Sequence, residues 1–233
     1  MNRMLTLLLG ACLLVGCAPE DTSYFAIDTP KGRIVVRLFD ETPQHRDNFS
    51  KLATEGYYDG TLFHRIIRGF MIQGGDPLSR DDQDPSNDGM GGPEYRIQAE
   101  IKPELFHRKG ALAAARDNNP EMASSGSQFY IVHGDVVPDS ILTMMEARMS
   151  QQLRRPFVFT PEARQAYSTT GGAPWLDGLY TVFGEVVEGL DIVDSLAVLP
   201  TPRSSGVPAP PQLADRPNEN LSITVTPLPG YRR

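Results

Sequence analysis

Polar and apolar residues alternate through residues 24–28 and 32–39, where β-branched side chains are frequent. The Pro30-Lys31-Gly32 turn between these runs predicts a pair of strands. Thr42-Pro43 supplies an N-cap and a first-turn proline for a helix whose apolar face is Phe49, Leu52 and Ala53, and Gly56 closes it. Short apolar runs at 62–67 and 70–73, broken by glycine, predict further strands, as do 95–99, 111–115, 128–132, 180–187 and 221–225. Between 132 and 175 the period changes. Ile141, Met145, Met149 and Leu153 recur at four-residue spacing, which predicts an amphipathic helix packed on the strand framework. Thr160-Pro161-Glu162 opens a second helix, ended by Gly171-Gly172. Six prolines between Pro200 and Pro217 rule out helix there and predict an extended segment before the last strand. Many short strands with few helices imply a mainly β chain, closed as an antiparallel barrel.

Composition narrows the function classes. The 233 residues are 40% hydrophobic and 22% charged, ordinary values for a folded domain. A net charge of −7 without a basic stretch argues against nucleic-acid binding, which needs clustered Lys and Arg. Residues 76–92 form a polar loop with five Asp, three Gly and two Pro. Asp81, Asp82, Asp84 and Asp88 do not follow EF-hand spacing, so a solvated acidic loop is the reading and no metal is expected.

The N-terminus has a texture of its own. Arg3 precedes an apolar run from Met4 to Val15 that is too short to span a membrane, followed by Gly16 and Cys17. Leu14-Val15-Gly16-Cys17 resembles a bacterial lipobox, with residues 1–16 as signal peptide, Cys17 as the acylated mature N-terminus and 17–23 as a short tether. Cys12 would leave with the signal, so no disulfide could form. The expected location is the extracytoplasmic side of a bacterial envelope, periplasmic or outer-membrane, held by a lipid anchor.

Candidate chemistry is sparse. The four histidines lack metal-ligand spacing, the serines at 124–127 do not form a G-x-S-x-G elbow, and nothing signals a cofactor. What remains is FHRIIRGFMIQGGD at 63–76. There Arg65 sits beside Phe63, Phe70 and Met71, and Met71 and Gln73 share a strand face. On composition alone a core of Phe70 and Met71 with Arg65 as a surface cation is the favoured explanation of this stretch.

That segment resembles the signature stretch of cyclophilins, and further likeness follows in order: GALAAAR at 110–116, SSGSQFYI at 124–131 and WLDGLYTVFGEVVEG at 175–189. The likeness spans about 24–132 and 174–228. It implies an eight-stranded cyclophilin-like barrel capped by two helices over 24–228, a helical insertion at about 133–174 and a tail at 229–233. It further implies peptidyl-prolyl cis/trans isomerase activity on proline-containing polypeptides, by a monomer without cofactor. Position by position, Arg65 matches the catalytic arginine. Phe70, Met71, Tyr130 and Leu176 match the walls of the proline pocket, with Ala115 on its floor. Gln73, Arg116 and Gln128 fall at peptide-binding positions, with Tyr180 at the rim. Trp175 matches the tryptophan associated with cyclosporin binding. Three positions depart from the family pattern. Tyr130 replaces a phenylalanine and adds a hydroxyl that needs a partner. Tyr180 stands where eukaryotic members often have histidine, and Arg68 replaces the proline before Gly69. The alternative from another class is a module that binds proline segments without turnover, or a membrane-anchored scaffold that uses the insertion.

Overall fold

The computed structural model describes residues 23–80 and 84–232. The proposed signal peptide, Cys17, and Asp81 and Asp82 lie outside the described residues.

The alternating N-terminal runs form β1 (Tyr24–Thr29) and β2 (Gly32–Leu38), followed by α1 (Pro43–Thr54). Next come β3 (Arg65–Ile67), β4 (Met71–Gly74), β5 (Arg96–Ile97), β6 (Ala111–Ala114), β7 (Ser124–Ser125) and β8 (Phe129–Val132). The insertion supplies α2 (Asp139–Leu153) and α3 (Pro161–Thr169). The chain then completes β9 (Val182–Glu188), α4 (Leu190–Ala197) and β10 (Thr224–Pro227). Eight strands make one curled antiparallel sheet in the order β10-β1-β2-β9-β6-β8-β4-β3, and β5 pairs with β7 separately.

The sheet ladder has two ends, at β3 and β10, so the expected closed barrel is seen as a curled sheet. The gap is spanned outside the named strands: Phe63 N–H donates to the Leu221 carbonyl and Ile223 N–H to that of Thr61. Both edges run into irregular chain, and β3 has only three residues. The proline-rich 200–217 segment is likewise not simply extended, since Pro211–Leu213 form a 3₁₀ turn.

Strand periodicity sorts side chains into two cores. On β4, β6 and β8, Ile72, Leu112, Ala114, Phe129 and Ile131 point into the curl. There they meet Phe25, Ile27, Phe49 and Phe183. Phe49 of α1 is the hub, with ring centroids 5.1–5.6 Å from Tyr58, Phe25, Phe129 and Phe183. α4 contributes Val193, Leu196 and Ala197 to the same core. The alternate residues Met71, Ala113, Tyr130 and Val132 point outward and form a second cluster with Ala115, Leu176 and Val182.

Thr42 begins α1, but its hydroxyl makes no capping bond. The orphan amides are met from a distance. The Glu100 carboxylate accepts from the backbone N–H of Gln44 (3.2 Å) and His45 (3.0 Å), and from His45 Nδ1 at 2.6 Å. At the far end Gly56 takes φ +69°, the left-handed turn that a glycine makes cheaply.

The insertion forms its own small core, in which Leu142 and Met149 of α2 meet Phe159, Ala163 and Tyr167. Ile141 is exposed, contrary to the face predicted for it. Steps of four overshoot the 3.6-residue turn, so the buried stripe runs Leu142, Met145, Met149. It faces α3 and the Pro174–Leu176 turn instead of the sheet. The two ends of the insertion meet at Gly172, whose N–H donates to Asp135 O at 3.1 Å. A side chain at Gly172 would put its Cβ 2.4 Å from the His107 carbonyl, so only glycine fits the junction.

Candidate functional site

Direct cross-strand neighbours line up Arg65, Gln73, Tyr130 and Ala113 over β3, β4, β8 and β6. This row is the spine of the outer face. It places a cation at the sheet edge, then an amide, then an aromatic ring over a small residue that leaves room beneath it. Met71, Ala113, Ala115, Tyr130 and Leu176 form the apolar part, with Phe70 and Tyr180 half-buried against it. The Phe70 and Trp175 rings lie 5.4 Å apart at the mouth. Phe63, adjacent to this set in sequence, is instead buried inside the curl, because residue 63 precedes β3 and faces the opposite core.

The polar rim is a chain of amides. Arg65 Nη1 lies 3.5 Å from Gln73 Oε1, and Gln73 Nε2 donates to Gln128 Oε1 at 3.0 Å. Gln128 Nε2 in turn donates to the carbonyls of Gly89 and Gly91, at 2.9 and 2.7 Å. The acidic loop therefore has a structural use. The Asp76 carboxylate accepts from the N–H groups of Leu78, Gly89 and Gly91 and fixes the glycines that hold Gln128. A cleft of about 310 Å³ runs along this rim, from Gln73 and Gln128 past Ala115 and Arg116 to Pro93. Among the described residues, no group of three or more His, Cys, Asp or Glu side chains is arranged to hold a metal ion.

Arg65 has a second partner, which sequence reasoning missed. Its Nε lies 3.6 Å from Asp215 Oδ2, and the same carboxylate pairs with Arg203 Nε at 2.5 Å. Asp215 also holds the strand edge, since its carbonyl accepts from Ile66 N–H at 2.8 Å. Asp215 lies far along the chain in the proline-rich segment, with no local pattern to link it to Arg65.

The Tyr130 hydroxyl finds its partner in His107, whose Nε2 is 3.0 Å away. His107 Nδ1 lies 2.7 Å from Asp177 Oδ1, which also accepts from the His107 backbone N–H, and Tyr167 of α3 donates to Asp177 Oδ2 at 2.7 Å. Burial holds the Tyr130 and Tyr167 phenols well above their usual range, so both remain donors. That order of donors assigns His107 the Nδ1–H tautomer. The pocket wall is thus wired through four buried side chains to the insertion. Asp177 stood inside the WLDG motif and the extra hydroxyl on Tyr130 required a partner, so Asp177 and His107 carried a sequence signal, whereas Tyr167 carried none.

On the other side of the pocket, Arg116 Nε donates to Leu179 O at 3.0 Å, and its guanidinium lies 4.6 Å from the centre of the Tyr180 ring. The structure therefore gathers Arg65, Phe70, Met71, Gln73, Ala115, Arg116, Gln128, Tyr130, Trp175, Leu176 and Tyr180 around one outer face. Arg65 and Trp175 are exposed at its margin.

Three buried or half-buried histidines bear on stability. His64, next to Arg65, has neither ring nitrogen hydrogen-bonded. Burial lowers its pKa and those of His45 and His133, and for His45 burial outweighs the opposing Glu100 carboxylate. The unfolded chain takes up these protons more readily, so stability is complete above the unfolded value of about 6.5 and falls at lower pH. Thermal melts should give a lower midpoint at pH 5.5 than at pH 7.5. An equal or higher midpoint at pH 5.5 would contradict this account.

A family model described as cyclophilin type peptidyl-prolyl cis-trans isomerase/CLD matches residues 24–226. A Staphylococcus saprophyticus protein named "Putative peptidyl-prolyl cis-trans isomerase" is 38% identical over 173 residues, covering 72% of this chain and 78% of that one. A Staphylococcus haemolyticus protein of the same name is 36% identical over 177 residues, covering 74% and 79%. A crystal structure of a Cryptosporidium parvum cyclophilin type peptidyl-prolyl cis-trans isomerase, determined in the presence of the dipeptide Ala-Pro, is similar with a TM-score of 0.61 and 25% identity. The match covers 88% of this chain and 98% of that one. The curled sheet and its outer apolar face define a cyclophilin fold. This chain belongs to the cyclophilin-type peptidyl-prolyl cis-trans isomerases, and that is its enzyme class.

Proposed function

We propose that this chain accelerates X-Pro rotation in envelope or secreted polypeptides by stabilising the twisted amide with Arg65, while tethered through Cys17 on the extracytoplasmic side. The observation that carries the mechanism is the position of Arg65. An exposed guanidinium stands at the edge of an apolar pocket, steadied on one side by Gln73 and on the other by Asp215.

Amide resonance sets a rotation barrier of about 20 kcal/mol. Halfway round, resonance is lost and the prolyl nitrogen becomes pyramidal with a free lone pair. A fixed donor aimed at that lone pair binds the twisted form better than either planar isomer, and only such a difference accelerates the reaction. Arginine suits the task because it stays charged and presents a planar fork. In this reading Met71, Tyr130, Leu176 and Phe70 hold the prolyl ring over Ala113 and Ala115, and Gln73 with Gln128 hydrogen-bonds the peptide backbone. No proton changes hands, so the site needs no acid–base pair.

A protease-coupled assay on proline tetrapeptides, with the full chain in detergent, tests the activity. Acceleration over the uncatalysed rate is expected. Saturable peptide binding without any acceleration would replace this reading with that of a proline-binding module. The pocket with Trp175 at its mouth is also the candidate site for cyclosporin.

The anchor has its own test. Cys17→Ser should abolish fatty-acid labelling and either release the protein from membranes or accumulate unprocessed precursor. Labelling that persists in this variant would exclude Cys17 as the attachment point.

A further inference from the structure

A second groove, of about 640 Å³, lies beside the proline pocket, and the insertion supplies one of its walls. Its inner wall is Trp175, Leu176, Leu179 and Tyr180, and its outer wall is the Met145–Gln152 face of α2. The groove is continuous with the substrate site, since Arg116, Trp175, Leu176 and Tyr180 border both. A polypeptide seated with its proline over Ala113 has this groove as the next concave surface on that side.

The lining has two properties. It is apolar and adaptable, because Met145 and Met149 face it together with aromatic rings, and methionine adjusts to varied side chains. It is also positive, in a chain whose net charge is −7. Arg116 and Arg148 both border it, and among the described residues neither pairs with a carboxylate side chain: Arg116 is bonded to backbone carbonyls and Arg148 has no ion pair. The one carboxylate present, Asp117, is engaged by Arg96 at 2.5 Å and Asn119 at 2.6 Å. Arg116 is held in place over Tyr180, whereas Arg148 is exposed on α2 and free to swing toward a ligand.

We propose that the groove between α2 and the Trp175–Tyr180 segment is a specificity subsite for the stretch of client polypeptide beside the isomerised proline, selecting a large apolar residue accompanied by a carboxylate. The occupant follows from continuity with the proline pocket, from the apolar walls and from two guanidinium groups that have no carboxylate side chain as partner among the described residues. This inference rests on the proline-peptide reading of the adjacent pocket. It gives the insertion a use: α2 adds a wall that the curled sheet lacks.

The test uses the full chain in detergent and nine-residue proline peptides carrying Leu-Glu or Leu-Lys two positions from the proline, on the N-terminal or the C-terminal side. A proline tetrapeptide too short to reach the groove is the control. Binding is read from the fluorescence of Trp175, the only tryptophan, and turnover from the isomerase assay. On one side of the proline, Leu-Glu should bind about ten-fold tighter than Leu-Lys, because Glu gains a partly exposed ion pair with Arg148 where Lys meets a like charge, the Leu being common to both. Arg148→Glu should erase or invert that preference and leave tetrapeptide kinetics at the wild-type level, which also controls for folding. Equal affinity for the two peptides on both sides, or a preference that Arg148→Glu leaves intact, would overturn the proposal. Because binding is measured apart from turnover, a preference found without catalysis would support the subsite while refuting the isomerase mechanism.

Discussion

Arg65→Ala and Arg65→Lys are both expected to lose turnover on the order of 10²–10³-fold while the protein stays folded. The size follows from removing a preorganised charged donor that acts only in the transition state, worth roughly 3–4 kcal/mol. As a structural residue Arg65 contributes little. Its side chain is 44% exposed and its ion pair with Asp215 spans 3.6 Å, so stability should change by no more than about 1 kcal/mol. Asp215 keeps Arg203 as a partner and is not left as an unpaired buried charge. Lysine is the sharper replacement. It keeps the charge but cannot contact Gln73 and Asp215 with one rigid plane while still presenting an N–H to the pocket. If the donor acts on the twisted amide, kcat and kcat/KM should fall together with little change in peptide binding. A folded Arg65→Ala protein with near-wild-type turnover would show that the apolar pocket suffices, and would retire the arginine mechanism.

How far the site could be read from sequence depended on the range of the interactions. The strands flanking the pocket were legible because period-two alternation is a local property. Residues 71–73 and 129–132 each send alternate side chains to opposite cores, as their sequence demands. Strand ends were less legible. The runs at 62–67 and 95–99 contain strands of only three and two residues, since the neighbouring chain turns away to join other elements. The two open ends of the sheet were illegible for the same reason, as the hydrogen bonds that cross the gap between them come from irregular chain near Phe63 and Leu221 that carries no periodic signal. The partner of α1's first turn was invisible too. Thr42-Pro43 marked the start correctly, but the capping acceptor is Glu100, more than fifty residues away. On α2, counting in fours selected Ile141, whereas the true helical pitch buries Leu142. The same limit explains why Arg65 was legible in its motif while Asp215, which orients it, was not. A carboxylate in a proline-rich segment has no fixed spacing to the strand it supports.

Asp177→Ala is expected to be the most destabilising single change near the site, by about 3–5 kcal/mol. Asp177 is buried, with 7% of its surface exposed, and its two oxygens satisfy three donors: the His107 backbone N–H, the His107 ring and the Tyr167 hydroxyl. Truncation leaves all three unpaired in a region closed to water, and each unmet buried group costs roughly 1–3 kcal/mol. Partial relaxation and water entry keep the total below the sum. For a chain of this size each kcal/mol lowers the melting midpoint by roughly 2–4 °C, so a fall of about 6–20 °C is expected by circular dichroism. The damage should also reach the pocket. Without Asp177 nothing fixes the His107 tautomer, Tyr130 loses a defined partner, and the wall formed by Tyr130 and Leu176 loosens. Peptide affinity should therefore weaken even below the melting temperature. Asp177→Asn separates the two contributions, because its amide oxygen still accepts from the His107 N–H but its NH₂ group faces the Tyr167 hydroxyl, which must turn to accept. An intermediate loss of stability is expected for it, and Tyr167→Phe should cost less than either, since it deletes one donor and leaves the His107 bonds in place. If Asp177→Ala melts within 1 °C of wild type, the four-residue network is not what holds the insertion to the pocket wall, and the small core of Leu142, Met149, Phe159 and Tyr167 must do so alone.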